Sequence, residues 1–178
     1  MTAGILLLNP KYPHNVGAVV RAASCFGAHS VWFTGKRVSL DGDRRERRLP
    51  REERMRAYRD VDLRHMDTAR PFDRIPSGTT PVAVELTPSA EQLPRFEHPE
   101  NAWYVFGPED GSLSRVHLSQ CHRVVMIPTQ HCVNLAAATY LVLYDRLVKR
   151  QELGLEPILP SYEVLDEDRG LDHMLGLK

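Results

Sequence analysis

Short apolar runs recur along the chain, each closed by a proline, a glycine or a polar cluster. Residues 4–9 (GILLLN), 30–34 (SVWFT), 81–86 (PVAVEL), 102–106 (AWYVF) and 123–127 (RVVMI) predict buried strands. Helical spacing takes over between them. Val16, Val19, Val20, Ala23 and Phe26 fall on one face of a helix over residues 15–26, and Gly27 stands where a C′ residue belongs. Arg21 projects from the other side, among Gly17, Ala18, Ser24 and Cys25. Those neighbours are small and uncharged, so this face suits close packing against another surface with one cation in its middle. A lone surface arginine with its stem laid along the helix is the plainer alternative.

The last periodic stretch, residues 135–147 (LAAATYLVLYDRL), is almost uncharged and predicts a helix buried on nearly every side. Its mouth is polar. Pro128 stops the preceding strand, Thr129, Gln130, His131 and Cys132 make a tight turn, and Asn134 takes the N-cap position. A strand, a polar turn and a buried helix N-terminus can hold a small polar ligand on backbone N–H groups. An ordinary loop before a core helix reads the same way. The 102–106 strand runs into Gly107, Pro108, Glu109, Asp110 and Gly111, and Ser112 or Ser114 can cap a short helix over 115–121. Residues 88–101 are proline-broken and read as loop or short helix.

Strands alternating with helices predict an α/β fold, a mainly parallel sheet flanked by helices, with ligands beyond the strand carboxyl ends. Polar loops follow strands at Leu86–Thr87, at 107–109 and at 127–134. The glycine signatures of dinucleotide and P-loop sites are absent.

Composition narrows the partners. The 178 residues are 42% apolar and 26% charged, ordinary for one soluble globular domain. The formal net charge is zero, so no global positive field recruits nucleic acid. A local patch or a second subunit must do so instead. Residues 36–74 hold Lys36 and twelve arginines against nine acids, densest at Arg44, Arg45, Arg47, Arg48, Arg51 and Arg54. This run serves either RNA phosphates or merely a solvated mixed-charge segment. The opening residues lack a signal-peptide pattern, and no run is long enough to span a membrane. Cys25, Cys121 and Cys132 show neither metal-ligand spacing nor a disulfide framework, so no metal is expected and a cytoplasmic location is.

Three segments then carry a resemblance. NPKYPHNVGAVVRAASCFGA resembles the first motif of the SpoU/TrmH RNA methyltransferases of the SPOUT superfamily, with Asn15, Gly17, Arg21, Phe26 and Gly27 in place. VFGPEDGSLS resembles the second motif, with Gly107 and Glu109, and IPTQHCVNLAAATYLVLYDRL the third, with Ile127, Pro128 and Asn134. The likeness spans roughly residues 4–150. It implies a SPOUT methyltransferase domain over 1–150 and leaves 151–178 as an acidic peripheral tail. It also implies a deep trefoil knot, in which the last strand, loop and helix pass through a preceding loop.

S-adenosylmethionine would sit in that knot, held by Leu86, Thr87, Gly107, Glu109, Ile127, Cys132, Asn134 and Leu135. The resemblance further implies a homodimer with sites at its interface and methyl transfer to a ribose 2′-hydroxyl of RNA. Arg21 would orient or activate that hydroxyl, reaching across the dimer and helped by an RNA phosphate. Asn15 would place Arg21 or the RNA, Glu109 would support the cofactor loop, and Asn134 would fix the knot turn. Helix N-capping is the ordinary role for both asparagines.

The chain departs from the family pattern at three places. Cys132 stands where serine is usual, the loop from Ile127 to it is short, and Gly111 comes two residues after Glu109 with Ser112 third. A thiol donates a hydrogen bond more weakly than a hydroxyl. These departures keep open a non-catalytic RNA-binding relative, and, further off, a small-molecule-binding α/β protein. The single-domain layout resembles the minimal members acting on transfer RNA, with ribosomal RNA as the other substrate.

Overall fold

The protein is described by a computed structural model over residues 2–40 and 61–155. The expectations for Arg44 to Arg54 and for the tail beyond residue 155 lie outside the described residues. Seven strands form one sheet: β1 (Ala3–Leu7), β2 (Ser30–Thr34), β3 (Asp62–Met66), β4 (Thr80–Val84), β5 (Glu91–Gln92), β6 (Ala102–Phe106) and β7 (Arg123–Met126). Their order is β3-β2-β1-β6-β4-β7-β5, and every pairing is parallel. The helices are α1 (Pro13–Cys25), α2 (Arg115–Leu118) and α3 (Leu135–Glu152). None is long and apolar enough to cross a membrane among the described residues.

The continuous apolar runs are explained by burial on both faces, as parallel sheets require. On one face Ile5, Leu7, Phe33 and Tyr104 pack with Val16, Val19 and Val20 of α1 and Leu143 of α3. On the other, Leu6, Trp32, Trp103 and Val105 form a second cluster with Leu113. Gly4 lets Trp103 lie flat on β1, since a Cβ there would come within 2.4 Å of the indole. β1 stops at Leu7, short of the expected Asn9, because Asn9 turns into the left-handed region at φ 53.

α1 starts on Pro13, whose missing N–H costs nothing in a first turn. It ends as its glycine foretold. Gly27 adopts φ +72, and Ala28 donates back to the Ala23 carbonyl at 2.9 Å, satisfying a carbonyl the helix leaves open. Ser114, rather than Ser112, caps α2, accepting from the His117 N–H at 3.2 Å. α3 corrects one expectation. It is buried on one side, but Leu141 is 43% and Tyr144 56% exposed. Phe26 at the end of α1 meets the rings of Tyr140 and Tyr144 edge-on, so the two helices share an exposed apolar seam. Asp145 anchors the helix inward: the buried ring of His98 bridges its carboxylate at 2.8 Å and the Tyr104 hydroxyl at 2.6 Å.

β3 and β5 were not expected. β3 (DLRHM) is an edge strand and β5 is two exposed residues, so neither carries an apolar run. β5 matters to topology, because β7 lies between β4 and β5, which are joined directly by residues 85–90. The chain divides into two compact units, residues 1–146 and 147–178. The second is described only through residue 155, where Gly154 (φ +68) closes α3.

Candidate active site

Strand carboxyl ends collect polar loops because the sheet's direction is uniform. The loops after β4, β6 and β7 enclose one cleft of about 260 Å³. Of the residues expected to hold a cofactor, Leu86, Gly107, Glu109, Ile127, Cys132 and Leu135 line it. Thr87 and Asn134 are chain neighbours of lining residues without forming its wall. Gly107 forms the floor, where an added Cβ would stand 3.1 Å from the Leu113 nitrogen. Any larger residue would press that backbone or fill the cleft.

A residue that the sequence reading missed ties the cleft together. Glu85 accepts from the Leu86 N–H at 3.0 Å with one oxygen and from the Leu113 N–H at 2.7 Å with the other. It thereby fixes the loop after β4 to the loop after β6. Its only sequence signal is an acid ending an otherwise apolar strand run. Thr87 Oγ1 is buried with no hydrogen-bond partner among the described residues. An orphaned hydroxyl at the edge of a cleft walled by backbone, Pro108 and Val133 fits a ligand with a flat ring and polar substituents. Cys121 is no nucleophile, since burial pushes its thiol up to about 12, whereas Cys132 is exposed at the cleft. Among the described residues no cluster of His, Cys, Asp and Glu could hold a metal ion.

Beside the cleft, three of the four residues expected to be catalytic meet. Asn15, 3% exposed, donates through Nδ2 to Glu109 Oε1 at 2.8 Å and accepts from Asn134 Nδ2 at 3.1 Å. Asn15 therefore does not cap α1, whose N-cap is Tyr12. Asn134 does cap α3, its Oδ1 accepting from Ala136 N at 2.8 Å and Ala137 N at 3.3 Å. Glu109 also accepts from the backbone N–H groups of Lys11 at 2.7 Å and Tyr12 at 3.3 Å, at the mouth of α1. A carboxylate is favoured there by the helix dipole and by the free amides. Residues 94 and 119 positions apart in the chain are thus joined through one amide side chain.

Arg21 is not in this network. It is exposed on α1 and makes no hydrogen bond or ion pair among the described residues. Its expected small-residue face is mixed: Gly17 is buried within the chain, while Cys25 is exposed.

Residues 3–144 match the model of the SpoU rRNA Methylase family. The chain belongs to the SpoU rRNA methylase family. The tRNA (cytidine-2'-O-)-methyltransferase TrmJ of Methanocaldococcus jannaschii is 25% identical to this chain over 155 residues, which covers 82% of this chain and 67% of TrmJ. A structure solved for insight into the 2-OH methylation of C/U34 on tRNA is 25% identical with a TM-score of 0.68, covering 86% of this chain and 97% of that one. The SpoU methyltransferase AviRb of Streptomyces viridochromogenes, in complex with AdoMet, shares the fold at a TM-score of 0.69 and 19% identity, covering 84% of this chain. This chain spans only 58% of AviRb's length.

Proposed function

We propose that this protein is an S-adenosylmethionine-dependent methyltransferase acting on a ribose 2′-hydroxyl of transfer RNA. One observation carries the reading: three loops far apart in the chain close one cleft, and the Asn15–Glu109–Asn134 network stands against it. TrmJ and the C/U34 structure, both 25% identical to this chain, favour transfer RNA over ribosomal RNA.

S-adenosylmethionine supplies, when bound, an electrophilic methyl group on a positively charged sulfur. The protein's own residues do the rest. Gly107 and Ile127 admit the donor's backbone contacts, Leu86 and Leu135 exclude water from it, and the free Thr87 hydroxyl binds one of its polar atoms. Asn134 holds the turn before α3 at the reacting end. The cleft works mainly by geometry, since holding donor and acceptor together is worth on the order of 7–11 kcal/mol. Arg21 orients the ribose hydroxyl and stabilises the charge that develops on it. A guanidinium keeps its proton, so its part is positioning and charge stabilisation rather than proton abstraction.

Arg21 reaches that hydroxyl from a second subunit. The exposed seam of Phe26, Tyr140, Leu141 and Tyr144 supports a homodimer closed there. The insertion of β7 between β4 and β5 supports a chain threaded through the loop that joins them, the deep knot. Residues 1–150 make the catalytic domain in this reading.

Mapping 2′-O-methyl marks across total RNA with and without the gene tests the function. Loss of a mark from one transfer RNA is expected. Loss confined to ribosomal RNA would replace the substrate, and purified protein giving neither heat with S-adenosylmethionine nor methyl incorporation would leave a non-catalytic RNA binder.

A further inference from the structure

We propose that Tyr12, His14, Lys11 and Arg37 form a nucleotide platform that receives a base and phosphate flanking the methylated ribose. This rests on the RNA substrate proposed above. Lys11, Tyr12 and His14 follow β1, the neighbour of β6, and Arg37 follows β2, the next strand out. The sheet order reverses between β1 and β6, and open α/β sheets take ligands at such a reversal.

The rings of Tyr12 and His14 lie parallel, centroids 5.3 Å apart and planes 23° apart, and both residues are exposed. Two stacked aromatic rings facing water present a flat surface that a protein core would normally cover. Unpaired RNA bases stack on such rings, histidine included. Lys11 Nζ lies 5.2 Å from the Tyr12 ring centroid and 3.3 Å from Asp110, while Arg37 Nη1 lies 2.7 Å from the same carboxylate. One carboxylate, Asp110, therefore holds two cations beside the rings. All three side chains remain 40% exposed, so a phosphate can reach the cations without unfolding anything. Phosphate contacts of this kind position an RNA, and stacking selects an unpaired nucleotide over a duplex.

Glu109 connects the platform to the chemistry. The carboxylate that walls the cleft also fixes the backbone N–H groups of Lys11 and Tyr12. The backbone that carries the Tyr12 ring is thus tied to the cleft wall, and in this proposal a nucleotide stacked on the rings brings its neighbour's ribose to the cleft.

The test uses the full-length protein with S-adenosylmethionine, an unmodified tRNA transcript and its isolated anticodon stem–loop. Tyr12→Leu and His14→Ala should each weaken RNA binding by roughly ten- to hundred-fold, while calorimetric affinity for S-adenosylmethionine stays at the wild-type value. Tyr12→Phe, which keeps the ring, should restore binding. Lys11→Gln and Arg37→Gln should each lower the slope of log affinity against log salt by about 0.7. Wild-type turnover combined with undiminished RNA affinity in Tyr12→Leu and His14→Ala overturns the platform alone. So does a change of oligomeric state in those variants at constant RNA affinity, which would assign the rings to a protein contact. Wild-type protein that takes neither RNA nor S-adenosylmethionine overturns the enzymatic reading and the platform with it.

Discussion

The carboxyl edge of the sheet is built in two ways. Around β6, β4 and β7 the loops present backbone, and the carboxylate that shapes them is spent inside the protein: Glu85 serves Leu86 and Leu113. Around β2, β1 and β6 the loops present long side chains, with Lys11, Arg37 and Asp110 each 40% exposed. The first half suits a ligand that never varies, because fixed amides need no reorganisation when it arrives. The second suits a polymer gripped by its phosphates and bases. Glu109 belongs to both halves, walling one and tethering the other.

Substitutions can break this contrast or sharpen it. Arg21→Ala should have the largest effect, lowering single-turnover methyl transfer about 100- to 1000-fold. Cofactor affinity should stay within a few-fold, and stability within about 0.5 kcal/mol, because the side chain is exposed. Unchanged turnover would take Arg21 out of the reaction. Glu109→Ala removes the acceptor of three N–H donors and should cost about 2–3 kcal/mol in urea unfolding. It alone should weaken both S-adenosylmethionine and RNA binding; damage to just one would deny it the shared role.

Glu85→Ala should cost about 1.5–2 kcal/mol and weaken the cofactor, but leave the salt dependence of RNA binding unchanged. The smallest effect lies at the sheet edge, outside both halves. The Arg123 guanidinium binds Glu91 through two nitrogens and holds its carboxyl below the ordinary 4.5. A depressed folded value means that stability from this pair is complete above about 4.5 and fades as pH falls through the depressed value. Both partners are substantially exposed, so urea titrations of Glu91→Gln against wild type should differ by no more than about 0.5 kcal/mol at neutral pH. That difference should shrink toward zero in acid.

Much of this was legible in the chain because parallel strands buried on both faces leave uninterrupted apolar runs. Ser30–Thr34 and Ala102–Phe106 were bounded correctly on that signal. Asp62–Met66 was not seen, since an edge strand keeps its charges and differs from a loop only by its pairing with β2. The exposure of Leu141 and Tyr144 was also hidden, because an apolar helix with one exposed side reads like one buried in its own core. In the site, the motif resemblance brought forward Asn15, Glu109 and Asn134, which do meet. Glu85 and the Tyr12–His14 pair lie outside that pattern. Their roles depend on which amides and rings the fold sets beside them.

The insertion of β7 between β4 and β5 also bears on how the chain is made. Among the described residues β5 pairs with β7 alone, and the outer side of β4 is likewise covered by β7. A nascent chain emerging from the ribosome through residue 120 therefore leaves β5 without its partner and the N–H and C=O groups on the outer side of β4 unpaired. Both gain their partner only when β7 arrives, so the cleft cannot form until the chain is made through the start of α3, and a product stalled before β7 is expected to engage chaperones.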